Sequence, residues 1–436
     1  MLETVNKYLI GALIPVLLIG SGFYLLARLR FFWVLHPVAV VKPLLAGGSK
    51  GGISPRRALA VALAGTLGVG NIVGVSAAIW WGGAGAVFWM LLSAVAAATL
   101  KYAEALLSER GATPYYIKAI LSKKGFSRAG RAAACVFVIF CIINSITMGG
   151  LIQVGAVAGA LEGVMSIDRH ASGIVLALLA ALTALGGIKR ISRVTGALVP
   201  VMSVGFFIMS AAVLILRADA LPAVFKLVMS EAFDLSAAGG GVVGFLTSRA
   251  VRHGVMRGLI TNEAGAGTSP MAHAVSDAPA VERGFMGIVE VLVDTVILCG
   301  MTAAVILISY GECSVWGENS VMMTLSAYSA VLGAWADYAM CAAVVLFGLA
   351  AVICQSFYAL EALSYLTKKL PPRAHLAARR LFILLFALCA YLGAVAPPAF
   401  TWGLADLAIG VMTLINLPAV LLALEEIKQR TREYFA

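Results

Sequence analysis

Residues 64–90, AGTLGVGNIVGVSAAIWWGGAGAVFWM, are too apolar to sit in water, yet they carry Gly65, Gly68, Gly70 and Gly74 where a membrane helix should have side chains. Glycine disfavours a helix interior more than any residue except proline, so this span is expected to break partway. An interrupted helix at membrane depth leaves amide N–H and carbonyl groups bare, and these are tolerated only where protein or a ligand satisfies them. Close helix packing would also use small residues. Asn71, a polar side chain at the break, favours the unwound site.

The rest of the chain is as apolar. With 61% hydrophobic and 12% charged residues and a mean hydropathy of +0.97, it lies far from soluble domains. It reads as one all-α integral membrane domain, residues 1–436. Runs of about 20 apolar residues place eleven spans near 8–33, 57–80, 85–107, 132–160, 171–187, 196–217, 241–261, 284–309, 337–360, 377–397 and 402–425. Stretches 35–57, 186–193 and 310–337 read as connections, the first with a short surface helix and the GGSKGG turn.

The net charge of +11 would suit a nucleic acid, but its placement says otherwise. Basic residues such as Arg28, Lys42, Arg110, Lys123, Lys189, Arg193, Lys368, Arg380 and Arg430 fall on alternate connections. By the positive-inside rule this places the chain in the plasma (inner) membrane, N-terminus outside and C-terminus cytoplasmic. No nucleic-acid partner is expected, only the lipid bilayer. The seven cysteines contain no CxxC pair; most lie in apolar segments and read as buried thiols, with Cys313 alone in an expected external loop. GGSKGG lacks the phosphate-loop spacing, GVGNIVG is one residue too long for GxGxxG, and the five histidines form no HExxH. Neither an enzyme nor a cofactor is expected, and a channel would need a continuous polar pore in place of polar groups gathered at breaks.

A second interruption follows in residues 247–274, TSRAVRHGVMRGLITNEAGAGTSPMAHA, where Asn262 and Glu263 precede AGAG and the stretch 217–240 leads in through Gly239 and Gly240. Residues 57–217 and 241–425 each offer five spans beginning with a broken one, and the two cross in opposite directions. That is the pattern of an inverted 5+5 repeat, with 8–33 as an extra helix and the breaks meeting near the midplane. Half-helix N-termini would face a carboxylate, and freed carbonyls a cation or ammonium. A zwitterion such as an amino acid satisfies both, which implies a carrier working by alternating access.

Other polar residues fit around this frame. Lys101 and Glu104 read as an i,i+3 ion pair fixing helix depth. Gln153 suits either a ligand contact or a helix-to-helix hydrogen bond. Glu290 and Asp294 are candidates for function because buried carboxylates are costly, and one of them is expected to pair with an arginine of the 241–261 span. WGLAD places Asp406 near an external entrance.

GGISPRRALAVALAGTLGVGNIVGV, GGAGAVFWM, KYAE, PYYI, GGIKRI, RHGVMRGLITNEAGAGTSPMAHA and WGLAD, in that order over nearly the whole chain, resemble the alanine or glycine:cation symporter family, the sodium:alanine symporters. The resemblance implies a LeuT-type core of two inverted five-helix repeats after one extra helix. It implies import of a small neutral amino acid, alanine or glycine, with a monovalent cation, sodium. It also implies substrate contacts at Gly68, Val69, Gly70, Asn71, Gln153, Ile260, Thr261, Asn262 and Gln355, and a sodium site touching Gly68, Asn71 and Ala351. Several positions depart from the family's usual residues. Val69 replaces a hydroxyl, Gly150, Gly155 and Ala156 replace polar residues, Ile260 replaces an aromatic and Gln355 a tryptophan. Ala350 and Ala351 stand where Ser and Thr are usual, and a methyl gives a hard cation no oxygen ligand. The alternative expectation is therefore a proton-coupled or weakly coupled carrier of a different small amino acid.

Overall fold

The computed structural model describes residues 13–45, 53–233, 248–317 and 319–436. The start of the 8–33 span, the GGSKGG turn and the beginning of the 241–261 span lie outside the described residues, as do Gly239 and Gly240. Helix accounts for 86% of the structure, and there are no strands among the described residues.

The glycines of the first stretch act as expected. Helix α1 (Ile14–Arg28) precedes α2 (Pro55–Thr66), which stops at Leu67. The chain resumes as a π turn, Gly70–Gly74, and then α3 (Val75–Gly82), bent from α2 by 48°. Next come α4 (Gly85–Leu107), α5 (Thr113–Lys123) and α6 (Ser127–Asn144). A π stretch, Ser145–Ile152, joins α6 to α7 (Gln153–Met165), and α8 (Arg169–Leu185), α9 (Gly187–Leu216) and α10 (Leu221–Ala232) follow. The second broken helix is α11 (Arg249–Asn262) with the short α12 (Ser269–His273). Beyond it lie α13 (Ala280–Val291), a π stretch Leu292–Cys299, α14 (Gly300–Ile308) and α15 (Ser320–Leu332). The chain closes with α16 (Trp335–Thr367), α17 (Pro372–Val395), α18 (Pro398–Leu422) and α19 (Leu424–Phe435).

Among the described residues seven helices are long and apolar enough to cross a membrane, and the bent α2–α3 pair makes an eighth. The chain is a multi-pass membrane protein. Length and composition do not reach the eleven spans expected, because α1 and α8 are short and α11 carries Arg249, Arg252 and Arg257.

Helix α4 is the post against which α11 and α13 pack. Gly254 and Gly258 let α11 approach so closely that a Cβ on either would lie 2.2 Å from Ala86 O or 2.6 Å from Ser93 Oγ. Gly284 and Gly287 do the same for α13 against Tyr102 and Lys101. Small residues thus set the helix spacing where no hydrophobic force separates helix from lipid.

Two expected connections turn out differently. The basic stretch 186–193 is not a loop: Gly187, at φ +62°, reverses the chain within a residue, and α9 starts there. The 310–337 stretch contains α15, capped by Asn319. Hydroxyl-to-carbonyl hydrogen bonds tie this helix to the first break. Thr324 Oγ donates to Ile72 O in the π turn at 3.1 Å, and Ser76 Oγ donates to Ser320 O at 2.7 Å. Beside it Arg217 forks onto Glu312 at 2.6 and 2.8 Å, and this hydrogen bonding holds the exposed Glu312 carboxyl below its ordinary range. Of the cysteines, Cys135 is exposed on the α6 surface and Cys389 is half-buried, so the reading as buried thiols fails for these, while Cys313, expected in a loop, is half-buried.

Candidate functional site

The first break exposes the Val69 amide, and the side chain that meets it is Gln153, whose Oε1 accepts at 2.9 Å. Only glycine at position 68 leaves room, since a Cβ there would lie 2.8 Å from the Gln153 amide. At the second break Glu263 adopts a left-handed conformation (φ 51°), followed by Gly265 and Gly267 at φ 82° and 77°. Gly267 N–H donates to Glu104 Oε1 at 3.1 Å, and Asn416 Nδ2 donates to Gly265 O at 2.9 Å. The interrupted backbone is therefore satisfied largely by side chains.

The two breaks face each other across one enclosed cavity. Gly68, Gly70, Gln153, Ile260 and Thr261, all expected at the site, line it. The Thr261 methyl packs toward Gly70 and Gly74. Five other expected residues do not line it. Val69 is fully buried toward Gly348 on α16. Asn71 turns away to Asp294, its Nδ2 donating to Oδ1 at 2.8 Å. Asn262 donates to Thr295 Oγ at 3.1 Å, and Gln355 Nε2 donates to Glu263 Oε1 at 2.9 Å. Ala351 is fully buried in α16. Beside Gly65, Thr66 and Gly74, the wall includes Met148, Ile152, Arg257, Glu263 and Trp402, none of these five expected as a site residue. Arg257 stands out in sequence as a charge in an apolar span; Trp402 gives no such signal.

The space enclosed is about 10 Å³, room for about one water. A larger cavity of about 360 Å³ lies next to it, floored by the same Ile152 and Trp402 and bordered by Asn319 and Ser320 at the start of α15. The Arg257 guanidinium sits 4.6 Å from the Trp402 ring centroid, and its Nη1 has no hydrogen-bond partner.

The charged groups pair differently from the sequence expectation. Lys101 does not bond Glu104. It is fully buried and lies 3.1 Å from Glu290 Oε2, while Glu104 serves Gly267 and Asn416. Glu290 also accepts from Ser269 Oγ at 3.0 Å and contacts His273 Nε2. No arginine of α11 reaches Glu290 or Asp294. Arg257 stacks on Trp402 and Arg249 donates to Trp81 O at 2.9 Å. The close packing of α4 on α12 and α13 excludes water, so the lysine takes the carboxylate that faces it across the interface. Around Asp294 a second polar cluster forms: Thr295 Oγ donates to Oδ2 at 2.8 Å, and Asn71 Oδ1 has no partner. A carboxylate and a free amide oxygen of this kind could hold a hard cation.

The sequence model of the sodium:alanine symporter family matches residues 1–436. The chain belongs to that family. Sodium:alanine symporters are transporters and not enzymes. Relatives with similar sequences include the sodium/alanine symporter AgcS of Methanococcus maripaludis, 30% identical over 100% of this chain and 96% of the relative. The probable sodium/glutamine symporter GlnT of Bacillus subtilis is 29% identical over 98% and 89%, and the transporter YflA of the same organism is 31% identical over 100% and 93%. Among solved structures, MhsT in complex with L-phenylalanine matches with a TM-score of 0.55 at 15% identity, over 86% of this chain and 90% of that one. This likeness places the family member in the LeuT fold.

Proposed function

We propose that the chain imports a small neutral amino acid together with a monovalent cation, by alternating access around the two breaks. One observation carries the reading: a single enclosed cavity is walled by bare glycine backbone, one guanidinium (Arg257), one carboxylate (Glu263) and the apolar Met148, Ile152 and Ile260. Opposite charges in a dry pocket match the two ends of a zwitterion, and the apolar wall leaves the rest of a small molecule uncharged. The relatives named as alanine and glutamine symporters support the same substrate class. Residues 57–217 and 241–425 act as the two repeats, each led by its broken helix.

For the cation, Asp294 and Asn71 offer the oxygen ligands that Ala350 and Ala351 lack. Sodium is the coupling ion this reading favours. The test is uptake of labelled alanine, glycine and glutamine into proteoliposomes under an inward sodium gradient, or under a proton gradient without sodium. Sodium-driven uptake supports the reading, uptake driven only by protons replaces the ion, and no gradient-driven uptake of any of the three overturns it. Glu263→Gln is expected to lower uptake by at least roughly tenfold, because it removes one of two opposite charges in a desolvated site.

A further inference from the structure

Helix α1 ends at Arg28, and the chain then turns on two successive residues in the left-handed region, Arg30 at φ 58° and Phe31 at φ 53°. Side chains of this size seldom adopt it. Beyond the turn, the Phe32 ring stands 6.5 Å from that of Phe435 on α19. On α19 itself Lys428, Arg432 and Phe435 recur at i, i+4 and i+7, the spacing of one helix face, while Glu426, Arg430 and Glu433 line the side toward Arg110. Between α19 and the turn lies a cavity of about 390 Å³, a size that falls within the roughly 300–1,000 Å³ that small ligands fill. Arg28, Arg30, Lys428 and Arg432 stand on its wall, and Phe32, Leu35 and Phe435 are its apolar part.

The bases here are under-compensated. Arg28 donates to Glu425 Oε1 at 3.1 Å, and Lys428 Nζ lies 3.7 Å from Oε2 of the same carboxylate. The guanidinium groups of Arg30 and Arg432 are exposed and form no hydrogen bond or ion pair among the described residues. Even with the carboxylate that ends the chain at Ala436 counted beside Glu425, the bases outnumber the acids four to two. The positive-inside pattern accounts for basic residues at this end of the molecule, but not for their gathering around a hollow with an aromatic interior. Apolar surface continues beyond it on the short helices Phe32–Leu35 and Pro37–Leu45, where Leu35 is 67% and Val38 77% exposed.

We propose that this cavity binds the phosphate headgroup of an anionic phospholipid, whose acyl chains run along Leu35 and Val38. Guanidinium groups match phosphate oxygens in paired, charge-assisted hydrogen bonds, and basic pockets on the side expected to face the cytoplasm meet the anionic leaflet. Free inorganic phosphate would satisfy Arg30 and Arg432 but make no use of the apolar side chains next to them. The bound lipid braces α1 against α19 and, through Phe32, whose ring is 4.4 Å from that of Tyr102, against α4. The site shares no residue with the substrate cavity and does not depend on the transport reading.

The test takes the full chain in detergent, stripped of lipid, and compares phosphatidylglycerol, phosphatidylcholine with the same acyl chains, and inorganic phosphate at equal concentrations. Native mass spectrometry counts the lipid retained, and the melting temperature reports stabilisation. Phosphatidylglycerol is expected to be retained and to give the larger thermal shift, and inorganic phosphate to give none. A basic residue near an anionic surface is worth about fivefold in affinity, so Arg30→Gln with Arg432→Gln is expected to weaken phosphatidylglycerol binding by roughly twentyfold, and Arg30→Gln alone by about fivefold. Lys189→Gln with Arg193→Gln, which removes equal charge from another basic stretch expected on the same side, should leave binding unchanged. Equal retention of the two lipids, an equal thermal shift from inorganic phosphate, or an equal loss in the Lys189 and Arg193 control overturns the proposal. Should the double variant fail to fold, Arg30→Gln alone and the wild-type comparison of the three ligands decide it.

Discussion

Lys101 shows most clearly how a single residue's role depends on what faces it. Its ammonium and the Glu290 carboxylate are both shut off from water and 3.1 Å apart, and removing one member of such a pair leaves the other buried without compensation. Lys101→Met is expected to cost about 3–5 kcal/mol, read as a marked fall in the melting temperature of detergent-purified protein or a failure to accumulate in the membrane. Lys101→Met with Glu290→Leu should recover much of the loss, and a double variant no better than the single would show that the pair is not coupled. In sequence this pairing was hidden. Periodicity shows only neighbours three or four apart on one helix, so Lys101 pointed to Glu104, whereas its partner is 189 residues away. Asn71 was legible as a polar residue at a break, but not its rotation toward Asp294 and away from the cavity.

Elements were more legible than their contacts. Both interruptions announced themselves through glycine, because a missing side chain is a local property. The α15 helix did not: what ties it into the fold is the Thr324 hydroxyl on the Ile72 carbonyl, and that carbonyl belongs to a distant segment. Helix α19 is a similar case. Arg110 grips Glu426 at 2.7 and 3.1 Å, Thr431 shares a 2.7 Å hydrogen bond with Tyr102, and the Tyr434 and Phe435 rings stand 5.4 and 6.1 Å from Phe285. The last helix therefore ties the ends of α4 and α13 together, joining the post to an element that carries Glu290. Ending the chain at Ala423 is expected to release both ends. Hydrogen exchange should then rise in 101–110 and 280–287 and stay unchanged in α16, since local opening follows the loss of buried contacts. Unchanged exchange in both stretches would show that α19 merely rests on the surface.

At the scale of the whole molecule, the barriers on the two sides of the cavity are unequal. Toward the 360 Å³ cavity, Ile152 and Trp402 border both spaces. Toward the other side stand α4, α12 and α13, locked by the Lys101–Glu290–His273 cluster. A carrier at rest with one thin and one thick barrier should open first at the thin one. Trp402, held by its stacking with Arg257, is the moving part that this asymmetry points to. In a background with Cys135, Cys313 and Cys389 changed to serine, the remaining thiols are buried, and a cysteine introduced at Ile260 reports on the cavity. Trp402→Ala is expected to raise labelling of Ile260→Cys by a membrane-impermeant thiol reagent by roughly tenfold or more, because it removes a gate whose opening otherwise limits access. The increase should occur from one side of the membrane only. Equal labelling with and without the indole, or labelling from both sides, would move the gate elsewhere and leave Arg257 stacked on Trp402 for packing alone.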